Sequence, residues 1–357
     1  MPMLALMRLM STRGGQLARF VALLCLGLQV ASCQSQSNSE ATPPPPPVGH
    51  YEGSITVAGQ PEVRAALDIR HPSPGHYEAE LSVPTTGTLS FVSDTIVFRN
   101  NQLQFTRPAR PSQVLTLTQE GDFWRGSLML DSTKAEAILL KRGAPTPSTY
   151  RVEELPQDNG SAWLFSPSDT GTPGAALLLL PDAATAPAAA LWADALAREG
   201  LIVLVLPATD SAAPPAEAPR LQAALRLLRS TPGADTASIG VWATGGRASA
   251  VAQVLAAPDG PRTAFVIAQN AALDPTGRDA FRALKKRKLP VLGLFGGAAF
   301  NQQAATLRNA LGGRRGATVR TYRTTGPDLL IPDGLSPRFG PGLPNEVVEW
   351  LRGATAQ

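Results

Sequence analysis

Cysteine and histidine are scarce in this sequence, which has two cysteines and three histidines among 357 residues. The cysteines are Cys25 and Cys33, and the histidines are His50, His71 and His76. A mature chain that begins at Cys33 therefore has no internal disulfide and no cysteine metal site. His71 and His76 flank one turn without a third ligand beside them, so surface positions explain them better than metal binding. We predict no metal and no cofactor.

The chain also has little net charge and no clear membrane span. The apolar stretch FVALLCLGLQV, Phe20 to Val30, is too short to cross a bilayer. Three arginines and no acid precede it, which is typical of a secretory signal. Removing these arginines lowers the formal net charge from +4 to +1. A nearly neutral mature chain argues against a nucleic-acid partner.

The end of this apolar stretch, VASC, resembles a bacterial lipobox. The resemblance implies a signal peptide over residues 1–32, a diacylated Cys33 and attachment to a membrane, with each buried CH₂ contributing about 0.8 kcal/mol. Gln34 in the next position resembles the outer-membrane sorting pattern. We expect a lipid-anchored protein of the cell envelope, at the outer membrane of a Gram-negative bacterium. An ordinary signal peptide with an unrelated cysteine is the alternative.

Composition and periodicity divide the remaining chain. Residues 33–48, the acylated cysteine and a proline-rich tether, should form a solvated coil stiffened into polyproline II. From 49 to 143, segments such as EVRAALDIR and KAEAILLKR alternate apolar with polar residues, which predicts an all-β antiparallel sandwich or barrel. The opening YEGSI resembles the start of the β domain that precedes the hydrolase domain in some secreted or lipid-anchored bacterial α/β hydrolases.

The pattern changes over residues 150–357. Continuous apolar runs such as AALLLLP, LIVLVLP and PVLGLFG are typical of strands buried on both faces. Amphipathic segments such as RLQAALRLLRS and GRASAVAQVLAA separate these runs. This alternation predicts a parallel sheet with helices on both faces.

The order of these segments, which opens with a hairpin of YRVEEL and SAWLFS and continues with alternating strands and helices, resembles an α/β-hydrolase core. In that family the nucleophile turn reads G-x-S-x-G, with the serine on a sharp bend. In this sequence the turn reads A-T-G-G-R, so that Gly245 occupies the nucleophile position and Arg247 the last glycine position. The resemblance places the family's acid at Ala299 and its histidine near Asp328, and no histidine follows His76. The domain is therefore α/β-hydrolase-like without the catalytic triad.

The loop expected to form the oxyanion hole, LPDAATAPA, carries Asp182, whose charge would oppose a developing oxyanion. Losing a nucleophile and base that act together lowers turnover on the order of 10⁶-fold. We predict a non-catalytic domain with a candidate ligand pocket at Asp182, Thr244, Gly245, Gly246 and Asp328. The short connection from Asn270 to Pro290 should leave the pocket mouth open.

Three classes of function remain. The first is a protein that binds an unknown ligand or envelope protein, or acts as a scaffold. The second is a serine hydrolase, esterase-like or peptidase-like, with a rearranged site, although Ser249 lies one helical turn past the bend and Thr244 precedes it. The third is a β domain that does the binding, with the hydrolase-like part as its platform.

Overall fold

The computed structural model describes residues 45–157, 160–209, 213–313 and 319–355. The predicted signal peptide, Cys33 and residues 34–44 of the tether lie outside the described residues. Pro45–Gln357 group into one compact unit. Within the described ranges, every helix is too short or too polar to cross a bilayer.

Residues 49–143 form one antiparallel sheet, in agreement with their alternating pattern. Its strands are β1 Gly49–Thr56, β2 Val63–Ser73, β3 His76–Ser82, β4 Phe91–Ser93, β5 Ile96–Arg99, β6 Gln102–Arg107, β7 Arg110–Glu120, β8 Phe123–Leu130 and β9 Thr133–Gly143. The order across this sheet, sheet A, is β4-β3-β2-β1-β9-β8-β7-β6-β5. The edge strand β4 also contacts β6, so the sheet curls towards a barrel.

The interior of sheet A is filled by large side chains. Trp124, Tyr51, Phe91 and Phe105 are each at most 2% exposed. Steric crowding explains the glycine at position 53 in the YEGSI segment, because a Cβ there would lie 1.9 Å from the carbonyl oxygen of Ile138. The glycine therefore permits the close pairing of β1 with β9.

A second sheet, sheet B, contains the apolar runs predicted as buried strands. Its strands are β10 Tyr150–Gln157, β11 Gly160–Pro167, β12 Gly174–Leu180, β13 Ile202–Val205, β14 Ala234–Thr244, β15 Val266–Gln269, β16 Val291–Gly296 and β17 Val319–Tyr322. The order is β10-β11-β13-β12-β14-β15-β16-β17.

Sheet B is mixed, with the parallel strands predicted from the apolar runs and the first hairpin predicted from YRVEEL and SAWLFS. The strands β12 to β17 are parallel to their neighbours in this set, whereas β11 is antiparallel to both β10 and β13. The cause is the short connection between β10 and β11, which allows only an antiparallel return. The sheet has this initial hairpin, one crossover in its strand order, and a strand, β14, that runs directly into a helix.

Helices cover both faces of sheet B, as predicted. They are α1 Ala186–Arg198, α2 Pro214–Ser230, α3 Gly245–Ala256, α4 Pro275–Lys286, α5 Asn301–Ala310 and α6 Asn345–Thr355. Helices α2 to α5 pack on one face, and α1 and α6 on the other. Two further short strands, β18 Leu330–Ile331 and β19 Arg338–Phe339, pair with each other.

Buried charged groups join the two sheets. Arg107 of β6 pairs with Asp194 of α1, and both side chains are at most 5% exposed. The hydroxyl of Tyr150 donates to the same carboxylate at 2.6 Å. Burial raises the pKa of Asp194, although the Arg107 guanidinium acts in the opposite direction. Burial beside this carboxylate also raises the pKa of Tyr150 well above its usual value.

Candidate functional site

Strand β14 ends at Thr244 and helix α3 begins at the next residue, Gly245. Gly245 has a φ of 56°, in the left-handed region that glycine adopts readily and that strains other residues. The family's nucleophile lies on a sharp, strained strand-to-helix bend of this kind. The turn therefore keeps the bend and lacks the side chain.

The carboxylate of Asp182 fills the space above the Gly245 turn. A Cβ built at Gly245 would lie 2.2 Å from Oδ2 of Asp182, far inside van der Waals contact. Asp182 reaches this place because it follows β12, which is the neighbour of β14 in the sheet. A serine at position 245 would therefore collide with this carboxylate unless Asp182 moved.

Two buried threonines hold Asp182 in place. Thr185 donates to Oδ1 of Asp182 from its backbone N–H at 3.0 Å and from its hydroxyl at 2.6 Å. The backbone N–H of Asp182 donates to Oγ1 of Thr244 at 2.7 Å. The two threonine hydroxyl oxygens are 2.9 Å apart. This backbone N–H, in the loop expected to supply oxyanion donors, is thus already engaged.

Arg247 lies at the position that corresponds to the last glycine of the G-x-S-x-G pattern, and its side chain holds the Asp182 loop through hydrogen bonds. Its guanidinium is 1% exposed and donates from Nε to Glu217 of α2 at 3.2 Å. Its Nη1 donates to the carbonyl oxygens of Pro181 and Pro207, each at 3.1 Å. Burial lowers the pKa of Arg247, while the Glu217 carboxylate opposes that change. The ends of β12 and β13 are tied together by one side chain.

The predicted acid and histidine positions contain no pair that could serve as acid and base. Ala299 lies exposed in a single 3₁₀ turn, Ala298–Phe300, after β16. Asp328 accepts the backbone N–H of Leu330 through Oδ1 at 3.1 Å, so its carboxylate caps its own loop. Its carbonyl oxygen accepts Nε1 of Trp192 at 3.2 Å. Neither side chain contacts the Asp182 cluster through a hydrogen bond described here.

Neutral amides hold the loop in which the family's histidine is expected. Gln269 and Asn270, which end β15, both donate to the carbonyl oxygen of Pro327, Gln269 at 2.7 Å. Gln269 accepts Nε1 of Trp242 at 2.9 Å, and Asn270 accepts the backbone N–H of Gly296 at 2.9 Å. These groups can fix a loop, but an amide cannot act as a general base at neutral pH.

The structure brings together three of the five predicted pocket residues. Asp182, Thr244 and Gly245 form one cluster, whereas Asp328 belongs to the separate amide-bound loop. Gly246 lies exposed beside the cluster, and a Cβ there would meet no atom within 4 Å. Ser249 donates to the carbonyl oxygen of Ala272 from inside α3. No group of three or more metal-ligating side chains occurs in the described part of the chain.

Sequence reasoning missed the residues that hold this cluster. Thr185 could have been found from its spacing, because an aspartate three residues before a threonine at a helix start is a local capping pattern. The polar pair Gln269 and Asn270 at the end of an apolar run was a second usable signal. No local sequence pattern indicated the role of Glu217, because its partner Arg247 is distant in the sequence.

A cavity of about 610 Å³ lies next to this cluster, where sheet A meets sheet B. Pro181 and Ala186, on either side of the Asp182 loop, form part of its wall. Sites for small molecules are often found at such junctions between structural units. This cavity is large enough to hold a small molecule beside the turn.

No family model matches this chain, and no curated protein matches it. Among solved structures, one described as a dienelactone hydrolase from Klebsiella pneumoniae is similar, with a TM-score of 0.42 and 14% identity, over 59% of this chain and all (100%) of that one. A hypothetical protein from Pseudomonas aeruginosa gives a TM-score of 0.29 and 18% identity, over 36% of this chain and 45% of that one. Because both TM-scores are below 0.5, we base the functional assignment on the geometry of the turn.

Proposed function

We propose that this protein is a lipid-anchored envelope protein whose α/β-hydrolase-like domain binds a ligand or partner, or acts as a scaffold, without hydrolysing a substrate. The observation that supports the proposal is the position of Asp182, whose carboxylate occupies the space that a nucleophilic side chain at Gly245 would need. An anion here also disfavours the oxyanion of acyl transfer.

The surroundings of Asp182 support the same proposal. Thr185 donates to the carboxylate, and Thr244 accepts the backbone N–H of Asp182. Gln269 and Asn270 hold the loop where a catalytic histidine is expected. A site arranged in this way has a fixed shape and no nucleophile–base pair. Binding without turnover needs only the fixed shape.

Two other functions are less well supported. A serine hydrolase would need a serine beside a base, and Ser249 instead donates to a backbone carbonyl. A β domain that binds a ligand in its interior would need a cavity there, and Trp124, Tyr51 and Phe105 fill the interior of sheet A.

Ester turnover by residues 34–357, a soluble form of the predicted mature chain without Cys33, tests the proposal. We expect p-nitrophenyl acetate to be hydrolysed no faster with the wild-type chain than in buffer, and Ser249→Ala to behave identically. A known serine esterase assayed in parallel confirms that the assay works. Saturable turnover that disappears in any single serine variant would show that the domain is an enzyme.

The lipid anchor is tested by fractionating cells that express the full chain. We expect the wild-type protein and Cys25→Ser in the membrane fraction with an acyl chain attached, because Cys25 lies before the cleavage site. Cys33→Ser should carry no acyl chain. Unchanged acylation of Cys33→Ser would refute the anchor.

A further inference from the structure

The cavity between the sheets has a predominantly apolar wall. Sheet A contributes Val97, sheet B contributes Trp163, and the segment after β13 contributes Pro207 and Ala208. The side chain of Val97 is 47% exposed. A ligand in this space would bury the apolar surface that the protein leaves open.

Two side chains on one face of sheet B give the cavity a specific chemistry. Trp163 of β11 lies directly opposite Glu154 of β10 in the antiparallel register. Opposed residues point to the same face of a sheet, with Cβ atoms about 5 Å apart. Both residues line the cavity, Trp163 half-buried and Glu154 exposed. A carboxylate and an indole ring are therefore neighbours at its wall.

The charges around the cavity leave Glu154 without a counter-ion. Its carboxylate accepts the hydroxyl of Ser161, and no ion pair in the described residues includes it. Arg107 also lines the cavity, but Asp194 neutralises it, and its two Nη atoms donate to Asp194, Gln113 and backbone carbonyls. The Nε atom of Arg107 has no partner and is buried. The unbalanced charge exposed at the wall is negative.

We propose that this cavity binds a small organic cation with an apolar body, such as a protonated or quaternary amine. Its ammonium group would lie between the Glu154 carboxylate and the face of Trp163, where the ring quadrupole and the carboxylate attract the same charge. Its apolar body would contact Val97, Pro207 and Ala208. The inference rests on the proposed function, because the cation is bound and released without a covalent step.

Calorimetric titration of the mature chain with three probes of similar size tests this charge preference. The probes are benzyltrimethylammonium, benzyl alcohol and benzoate, which are a cation, a neutral molecule and an anion. We expect the cation to bind at least about tenfold more tightly than the other two, as a cation–π contact combined with a carboxylate allows. Tighter binding of benzoate or benzyl alcohol would overturn the inference.

Variants locate the site. Glu154→Gln and Trp163→Leu should each weaken binding of benzyltrimethylammonium by about tenfold. Glu153→Gln is the matched control, because Glu153 immediately precedes Glu154 on β10, faces the other side of the sheet and lines a different cavity. Ser161→Ala, which removes only the hydroxyl donor to Glu154, should keep the preference for the cation. Circular dichroism and melting temperature confirm that each variant is folded.

The two hypotheses fail separately. Equal binding by Glu154→Gln, Glu153→Gln and wild type would refute the cation site while leaving the absence of ester turnover intact. Serine-dependent ester turnover would refute the proposed function whatever the probes do.

Discussion

Gly245 and Asp182 share one space, and the carboxylate occupies it. The left-handed backbone at Gly245 is what the family's bend requires, but an added Cβ would meet Oδ2 of Asp182 at 2.2 Å. Restoring a serine to the turn would therefore not restore a nucleophile with free access. The carboxylate would first have to leave the backbone N–H and the hydroxyl of Thr185.

This conflict predicts the stability of a variant. Gly245→Ser should lower the free energy of unfolding by about 1–3 kcal/mol, from backbone strain and the clash with Asp182. Adding Asp182→Gly should reduce that cost, giving a coupling above about 0.5 kcal/mol in a double-mutant cycle measured by urea unfolding. Gly246→Ser is the control, because a Cβ there meets open space. Purely additive effects of the two changes would contradict the account.

At the scale of residues, the absence of a nucleophile, an acid and a histidine could be predicted from the sequence, because it depends only on which amino acid occupies each position. Gly245 and Ala299 occupy the positions where the resemblance to α/β hydrolases would place catalytic residues, and no histidine follows His76. The location of Asp182 directly over Gly245 could not be predicted, because it depends on the pairing of β12 with β14. The cluster formed by Thr185 and Thr244 depends on the same pairing.

At the scale of elements, the segment between the two sheets is held to β2. Asp68 of β2 is 3% exposed and accepts the backbone N–H and the hydroxyl of Thr146 at 2.7 and 2.8 Å. It also bonds to Nδ1 of His50 in β1 at 2.9 Å. His50 therefore links β1 to Asp68, the residue that holds the segment between the two sheets.

The bridge makes stability depend on pH. Burial lowers the pKa of His50, but hydrogen bonds and charge attraction from Asp68 and Glu52 outweigh it and raise the pKa above the usual 6.5. The charged imidazole is favoured in the folded state, so its contribution is complete below about pH 6.5 and disappears as the pH rises through the raised value.

We therefore expect the free energy of unfolding to fall as the pH rises above about 6.5. His50→Gln should lack this component of the fall, measured by urea unfolding over a pH series. His71→Gln should keep it, because His71 stacks on Tyr77 at the turn edge instead of bridging carboxylates. The same pH dependence in His50→Gln as in wild type would refute the role of this bridge.

The elements themselves were the easiest part to predict, and the reason is periodicity. Alternation of apolar and polar residues indicates a strand with one buried face, as in β9, where Ala135, Ala137 and Leu139 are buried and alternate with more exposed residues. Continuous apolar runs report burial on both faces, as in β12. Strand direction is not encoded in either pattern, and the antiparallel direction of β11 could be predicted only from its short connection to β10.

At the scale of the whole molecule, the two sheets meet through buried ions as well as apolar contacts. Arg70 of β2 pairs with Glu78 and Glu80 of β3, and Arg198 of α1 also reaches Glu80 at 3.1 Å. The hydroxyl of Thr88 in sheet A's connecting loop donates to Ser336 at 3.0 Å. The Arg198–Glu80 and Thr88–Ser336 pairings join residues far apart in sequence, so no local pattern could have predicted them.

The Arg107–Asp194 pair gives the sharpest prediction for this interface. Arg107→Met leaves the Asp194 carboxylate buried without its counter-ion, and should lower the free energy of unfolding by about 3–5 kcal/mol. The double variant Arg107→Met with Asp194→Leu should recover most of that loss, because no uncompensated charge remains. Arg125→Met, in an exposed pair with Glu120, is the control and should change stability by less than about 1 kcal/mol. A double variant no more stable than Arg107→Met would contradict this account.

The central claim is that a carboxylate has taken the place of the nucleophile, so the most direct measurement is covalent labelling by a fluorophosphonate probe. Intact mass spectrometry of the mature chain after exposure to the probe detects an activated serine anywhere in that chain. We predict an unchanged mass for the wild-type chain under conditions that fully label an active serine esterase. A single adduct that maps to one serine, and disappears when that serine is changed to alanine, would contradict the account.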